Sequence, residues 1–440
     1  MNSPLRAQAA ADPRRRLALI AAVYLGSFIA TLDVSIVNVA LPTLQRALST
    51  DLAGLQWVID IYALCLSAFM LSAGPLGDRY GRKRAWLAGV AVFTLGSAMC
   101  AMAGSLPTLL AGRAVQGVAG ALMIPGALSL LAHAFPDPAE RARVIGGWSS
   151  FTALSLILGP LLGGLLVDHA GWQSIFLINI PIGVLTVGLG LWGIRETSHP
   201  EHAALDPAGQ VLSVLWLGAL TYGLIVAGEY GWGSVQAASA LVAAAIGLAL
   251  FLMVEARVAR PLLPLGLFRD ARFSVANFAS FVLGFSAYAS LFFFSLFLQL
   301  LGAGTGLAVP ATSTAVMALV PAQRSGMASA TMNALRQAGM LIGIALLGTL
   351  MSTRATSLLA DALAQAGLPG ARQAAVAAVG RHELSALGAL DASVARDLLA
   401  AALAGGFHAA VACAGIVGLL AAGLLLSVRP RAAALPVRAT

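Results

Sequence analysis

The chain is poor in charge. Asp, Glu, Lys and Arg make up 10% of its 440 residues, against 59% hydrophobic residues. A soluble protein of this length keeps about 25% charged residues to cover its surface, so a water-soluble globular domain is excluded. Lysine is nearly absent: Lys83 is the only one. There is no GxxxxGK[ST] phosphate-binding loop, which argues against an ATP-driven pump. Cysteine is scarce too. Cys65, Cys100 and Cys413 lie in apolar stretches without CxxC or metal-ligand spacing, and read as small packing residues. The six histidines, His133, His169, His199, His202, His382 and His408, are scattered and form no ligand cluster. No nucleophile–base arrangement stands out either, so the chain reads as a non-enzyme with no metal and no cofactor.

What is present is apolar sequence in long blocks. About 20 such residues cross a bilayer as a helix. Twelve spans are expected, at 17–42, 54–76, 85–104, 107–132, 144–167, 172–194, 209–227, 235–254, 273–297, 299–320, 327–351 and 406–428. The block 273–320 holds no charged residue to mark a turn. It is nearly twice the length one crossing needs, so two crossings are assigned to it. The segment 352–405 mixes Ala, Leu and Arg at helical spacing without a spanning run. It is expected as amphipathic helices outside the membrane or on its surface.

The net charge of +8 does not call for nucleic acid. Most of the 26 Lys and Arg fall on one side of the expected spans, which makes that side cytoplasmic. Arg6, Arg14, Arg15 and Arg16 then put the N-terminus inside, and Arg429, Arg431 and Arg438 the C-terminus. The first apolar block is too long for a cleaved leader and lacks a small-residue cleavage site. The lipid bilayer is therefore the expected partner. The wealth of Ala, Gly and Arg, all with GC-rich codons, points to a bacterium, hence to the inner membrane.

An internal echo runs through the chain. Pro125 and Pro136 are matched by Pro310 and Pro321 at the same separation, and Gly117 by Gly302. Glu140-Arg141 is matched by Gln323-Arg324, and Gly159 and Gly164 by Gly343 and Gly348. Spans 10 and 11 thus read as a second copy of spans 4 and 5, and repeated halves are frequent in secondary transporters.

The polar residues inside the spans carry the functional signal. Asp33 sits in Leu32-Asp33-Val34-Ser35-Ile36-Val37-Asn38-Val39-Ala40-Leu41-Pro42. An acid in a span costs roughly 2.5–3.5 kcal/mol and needs a partner or water; a proton carrier and a structural hydrogen-bonding Asp are both open readings. Thr31, Ser35 and Asn38 share a face, and Asp33 lies about 200° round from Ser35 at about 100° per residue. The two sets cannot face one cavity. Asp60 shares a face with Trp57 and Ser67; it reads either as a substrate contact or as a hydrated structural acid, and Trp57 as a wall residue or an interfacial anchor. Arg113, Gln116, Gly117 and Gly120 share one face of span 4. A buried guanidinium stays charged and needs acceptors, for which Asp33 and backbone carbonyls are candidates. Arg336, with Asn333 and Gln337, is a second polar site or a snorkelling terminal residue. The loop Gly74-Pro75-Leu76-Gly77-Asp78-Arg79-Tyr80-Gly81-Arg82-Lys83-Arg84 reads as a clasp holding one conformation shut, or as a topological anchor. Gly159-Pro160 and Gly163-Gly164 signal a kink and tight helix packing in span 5.

Together these residues resemble the major facilitator superfamily, and within it the fourteen-span drug:proton antiporters. The strongest matches are Asn38 to Pro42 and Gly74 to Arg84. Arg113 to Gly120, Gly159-Pro160 and Trp172…Phe176…Asn179-Ile180-Pro181 support them. The resemblance implies an all-α bundle with six-span halves moving about a central site. The N-terminal half would be 17–194, two linker spans 206–255 and the C-terminal half 273–428. It implies proton coupling through Asp33 and Arg113, and a cytoplasmic gate of Gly74, Gly77, Asp78, Arg79, Gly81, Arg82 and Lys83. It implies an antiporter motif of Gly159, Pro160, Gly163 and Gly164. Ser35, Asn38, Trp57, Asp60, Gln116, Asn333 and Arg336 are the candidates for the substrate cavity. The expected activity is export of amphipathic or cationic small molecules, drugs and antibiotics among them, driven by the proton gradient alone, with a periplasmic adaptor as an optional partner. The chain departs from the family in its second half, which offers four spans instead of six. Equivalents of spans 2 and 3 are missing, with the seam near Leu298 to Gly302. A shortened relative that does not transport and serves as a membrane scaffold or binding protein, and an exporter of an endogenous metabolite, therefore stay open.

Overall fold

The computed structural model describes residues 12–198, 206–258, 261–263, 265–288, 325–381, 387 and 391–427. The described residues form helices and no strand: α1 (Pro13–Leu48), α2 (Leu52–Tyr80), α3 (Arg82–Ala101), α4 (Leu106–Ala134), α5 (Pro138–Ala170), α6 (Ser174–Leu177), α7 (Asn179–Gly193), α8 (Pro207–Tyr230), α9 (Val235–Arg257), α10 (Ala271–Leu283), α11 (Ser325–Gln365), α12 (Ala371–Arg381) and α13 (Ala392–Ser427). Ten of the described segments are long and apolar enough to cross a membrane. They are the expected spans 1 to 8, 11 and 12, with α6 and α7 making one crossing. Expected span 9 is described only to Tyr288, where α10 passes into a π-helical turn, Gly284–Tyr288. Span 10, the seam, Pro310, Pro321, Arg324 and the basic C-terminal arginines lie outside the described residues.

The helix starts are written locally. Asp12, Asp137 and Asp206 each precede a proline at the first helical position, and each carboxylate accepts a backbone N–H of the first turn. Asp51, Ser234 and Asp270 cap α2, α9 and α10 in the same way. Each cap satisfies donors that the first turn leaves open.

Tertiary packing groups α1 with α5 and α7, and α2 and α3 with α4. Ile29, Ile36, Tyr62, Trp86 and Phe93 are fully buried between them. The outer faces stay apolar and exposed: Leu161 and Leu165 on α5, Leu185 and Leu191 on α7, Ile246 and Leu250 on α9, Leu419 and Leu420 on α13. A belt of this kind suits lipid tails and not water. The helix α8 is wedged between α2 and α11. The Gln210 amide donates to the Ala68 carbonyl at 3.0 Å, and the Thr349 hydroxyl to that of Leu224 at 2.6 Å. Helix α8 therefore touches both α2 and α11, and α9 packs on α8.

The segment 352–405 corrects the expectation of a separate loop. Helix α11 runs unbroken for 41 residues and α13 for 36. At about 1.5 Å per residue, each is far longer than the roughly 30 Å of hydrocarbon it crosses. Their overhangs and α12 form a helical cap with its own small core of Leu359, Leu363, Ala375, Val379, Leu399 and Ala402. The segment is helical as expected, but most of it extends spans 11 and 12.

The paired glycines of α5 have unequal tasks. A Cβ at Gly159 would lie 2.7 Å from the Cβ of Ser35 and 3.2 Å from the nitrogen of Ile36; one at Gly163 would lie 3.0 Å from Ile36 Cγ1. Gly164 faces open space. Gly159 and Gly163 thus seat α1 against α5, and Gly164 does not. Gly159→Val is expected to lower stability by about 1–3 kcal/mol through overpacking. Gly164→Val is expected to stay within about 0.5 kcal/mol of the parent. Thermal unfolding of both variants in detergent checks this; equal midpoints would show that α5 does not pack on α1 as described.

Candidate functional site

The centre of the first bundle is a buried ion pair. Asp33 lies midway along α1 and Arg113 on α4, with side-chain exposures of 0% and 1%. Arg113 Nη1 donates to Asp33 Oδ2. Gly117, one turn on, lets α4 approach the α2 backbone, since a Cβ there would lie 2.5 Å from the Tyr62 carbonyl. That approach brings Arg113 Nε within 3.1 Å of the Val58 carbonyl. The Tyr62 ring lies under the guanidinium, 4.4 Å from ring centre to Cζ.

Gln116 completes the site. Its amide donates to Asp33 Oδ1 at 3.1 Å and to Ser97 Oγ at 2.8 Å. Its carbonyl oxygen accepts from Arg113 Nη1 at 2.9 Å and from the Cys100 thiol at 3.4 Å. Asn179, at the start of α7, donates to Asp33 Oδ1 at 3.4 Å and to Ser97 at 3.3 Å. The carboxylate on α1 thereby binds groups of α4 and α7, and Ser97 ties α3 to the same network. Removing one partner of such a pair leaves a buried charge uncompensated, at a cost of roughly 3–5 kcal/mol.

Of the sequence candidates, Asp33, Arg113 and Gln116 are brought together. Ser35 is turned away: its hydroxyl lies against α5 and donates to the Leu32 and Ser155 carbonyls. Asn38 donates to the Val34 carbonyl at 2.6 Å. Asp33 and Ser35 point to different neighbours, Asp33 to α4 and α7 and Ser35 to α5, while Asn38 bonds within its own helix and Thr31 lines a cavity. Trp57 packs on Leu224, Ile225 and Ala345 of α8 and α11. Asp60 has no solvent exposure, which corrects its reading as a hydrated acid. Neither of its oxygens has a hydrogen-bond partner.

A second polar group lies between the bundles. Arg336, 7% exposed, lines a cavity of about 40 Å³ together with Ser27 and Thr31 of α1 and Trp148, Ser149 and Thr152 of α5. Arg336 Nη2 donates to Asn333 Oδ1. Its burial removes the snorkelling alternative.

The loop between α2 and α3 is braced within the first bundle. Arg82 binds Asp78 with Nε at 2.8 Å and Nη2 at 2.7 Å, and Nη1 lies 2.6 Å from His133 Nδ1 of α4. Gly81 has φ of +103°, and Glu196 fills the space beside it. The Glu196 carboxylate accepts from the Lys83 and Arg84 backbone N–H groups at 3.0 and 3.2 Å. Lys83 Nζ donates to the Leu191 carbonyl at 2.6 Å. Arg79 stacks over neighbouring Tyr80, and Gly74 and Gly77 face open or loosely filled space. Among the described residues, these contacts tie α2 and α3 to α4 and to the end of α7.

Sequence reasoning missed Ser97, Asn179 and Tyr62 around the ion pair, and His133 and Glu196 at the loop. A usable signal existed for Glu196, an acid immediately after a span on the basic side, and for Asn179, which the Trp172…Asn179-Ile180-Pro181 pattern contains without showing its task.

Four similarities bear on this arrangement. The family model of the Major Facilitator Superfamily matches residues 23–344. The multidrug resistance protein Stp of Mycobacterium tuberculosis (strain CDC 1551 / Oshkosh) is 34% identical over 410 residues, covering 77% of this chain and 76% of Stp. The tetracenomycin C resistance and export protein of Streptomyces glaucescens is 30% identical over 489 residues, covering 93% of this chain and 90% of that protein. In fold, the chain is similar to an inward-facing, unoccupied bacterial homologue of the human lysosomal transporter Spinster, with a TM-score of 0.52, 19% identity and coverage of 94% and 97% of the two chains. This multi-pass helical membrane protein, with its buried pair, loop and helix order, belongs to the Major Facilitator Superfamily, a family of transporters and not of enzymes.

Proposed function

We propose that the chain exports amphipathic small molecules from the cytoplasm across the bacterial inner membrane, driven by protons entering the cell through Asp33. The observation that carries this reading is the fully buried Asp33–Arg113 pair with its network of Gln116, Ser97 and Asn179. A proton on Asp33 removes the charged acceptor of Arg113. The guanidinium stays charged and must turn to another acceptor. Protonation therefore changes the contact between α1 and α4, and α1 also forms a wall of the cavity between the bundles. A buried element with two arrangements, each favoured by one protonation state, is what coupling needs. The name of the tetracenomycin C resistance and export protein supports the export direction, and that of the multidrug resistance protein Stp supports small-molecule substrates. The Arg-rich side, including Arg14 to Arg16 and Arg79 to Arg84, supports cytoplasmic termini. Cationic substrates find no support in the cavity, whose lining includes Arg336 and no carboxylate.

One observation favours a second reading, a shortened chain that does not transport. The alignment with Stp runs over 410 residues yet takes in only 77% of this chain, so about 70 positions of the relative have no counterpart here. At about 20 residues per crossing, with connections besides, that is room for the two crossings missed at the seam.

Cells producing the chain are expected to expel a fluorescent amphipathic dye, and a protonophore is expected to stop the efflux. Asp33→Asn should abolish the protonophore-sensitive component while the protein still reaches the membrane. Because that change strands Arg113, Asp33→Asn with Arg113→Gln is the folding control: it should regain thermal stability without regaining efflux. Undiminished efflux by Asp33→Asn would rule out Asp33 as the coupling acid. For the second reading, the informative variant has two family-type crossings inserted after Leu298. Efflux that appears only in this variant would show that the natural chain is not competent.

A further inference from the structure

The two buried arginines of the membrane region differ in one respect. Arg113 has an anion, a carbonyl, an amide oxygen and a ring about it. Arg336 is 7% exposed and has a single bond, from Nη2 to Asn333 Oδ1; its Nε and Nη1 have no partner. A guanidinium does not lose its proton under any ordinary condition, so this is a permanent positive charge. Burying it without an anion is among the more costly arrangements a protein can keep. Among the described residues, no carboxylate lines its cavity.

The surroundings suit an acid. Ser27 Oγ accepts from the Trp148 indole N–H at 2.7 Å, which leaves its own hydrogen to donate inward. Thr31 and Ser149 add hydroxyls to the lining, and Ala30, Val34 and Ile124 give it an apolar side. The cavity's 40 Å³ is room for about three waters, enough for a carboxyl group but not for a drug-sized body. On the register that pairs Gly343 with Gly159, Arg336 is the counterpart of Thr152, and both line the cavity. The position thus faces the cavity in both halves, and only the second half places a charge there.

We infer that Arg336 is a substrate-binding residue, and that the compounds carried are amphipathic carboxylic acids bound as carboxylates. Their charged end meets Arg336 and Ser27, and their apolar body occupies the space that opens between the bundles during the cycle. The inference rests on the export reading for the word substrate, but binding can be measured without transport.

The experiment is equilibrium binding to purified protein in neutral detergent, followed by dansyl fluorescence. The probe is 11-(dansylamino)undecanoic acid, and its primary amide is the uncharged match. The parent protein is expected to bind the acid roughly tenfold or more tightly than the amide, the usual range for a hydrogen bond to a charged group. Arg336→Gln should bring the acid to the amide's affinity and leave the amide unchanged. Arg336→Lys should retain part of the preference. Binding is read without a proton gradient, so an acid preference in a protein without protonophore-sensitive efflux would fail the coupling reading alone, and coupled efflux without an acid preference would fail this one alone. Equal binding of acid and amide by the parent, binding of neither, or a preference that survives Arg336→Gln would each overturn the proposal. If Arg336→Gln does not fold, the parent comparison and Arg336→Lys still decide it.

Discussion

The constraint on which the first bundle depends is that Asp33 and Arg113 are both inside it. Neither can reach water, so each must be answered by other groups, and those groups come from different helices. Gln116 uses both its hydrogens and its oxygen on the site. Ser97 fixes α3, Asn179 fixes α7 and the Val58 carbonyl fixes α2. Between apolar helices in lipid there is no hydrophobic drive to choose one arrangement over another, because lipid tails are as apolar as leucine. The polar network supplies that choice, and close-fitting glycines such as Gly117 and Gly159 let it close.

The same reasoning explains what could be read from the amino acids alone. Ion-pair members were legible because a charge in an apolar span is rare and must have a reason. Helix starts carried local signals in their Asp-Pro and Ser caps, but the expected spans followed hydropathy and began inside the helices, at 144 where α5 starts at Pro138. Ser97 and Asn179 were not, since serine and asparagine occur on many helices and only the packing of α3 and α7 on α1 shows what they touch. Gly159 and Gly164 look alike in sequence; their difference lies in whether Ser35 stands opposite. The overlong α11 and α13 were also hidden, because hydropathy marks where a helix leaves the hydrocarbon and not where it ends. The superfamily resemblance was visible chiefly through the first half, where the motifs sit.

Charge placement separates two tasks within one small volume. Arg113 is answered inside its own bundle and needs nothing from outside. Arg336 is turned to the space between bundles and lacks an anion. A resident pair suits proton exchange, because the proton competes with a fixed arginine for one carboxylate. An unanswered guanidinium suits a ligand, because the ligand relieves a cost the empty protein bears.

Helix α1 joins the two sites. Asp33 points from one side of it into the network, while Ser27, Ala30, Thr31 and Val34 line the cavity from another. A rigid helix cannot move one of these faces without the other. In the proposed cycle, protonation of Asp33 loosens the hold of α4 on α1, and the shift carries the hydroxyls of Ser27 and Thr31 relative to Arg336. Coupling then needs no chain of intermediaries between proton and substrate: two faces of one helix suffice, with Gly159 and Gly163 as the close-packed contact along which α1 slides against α5.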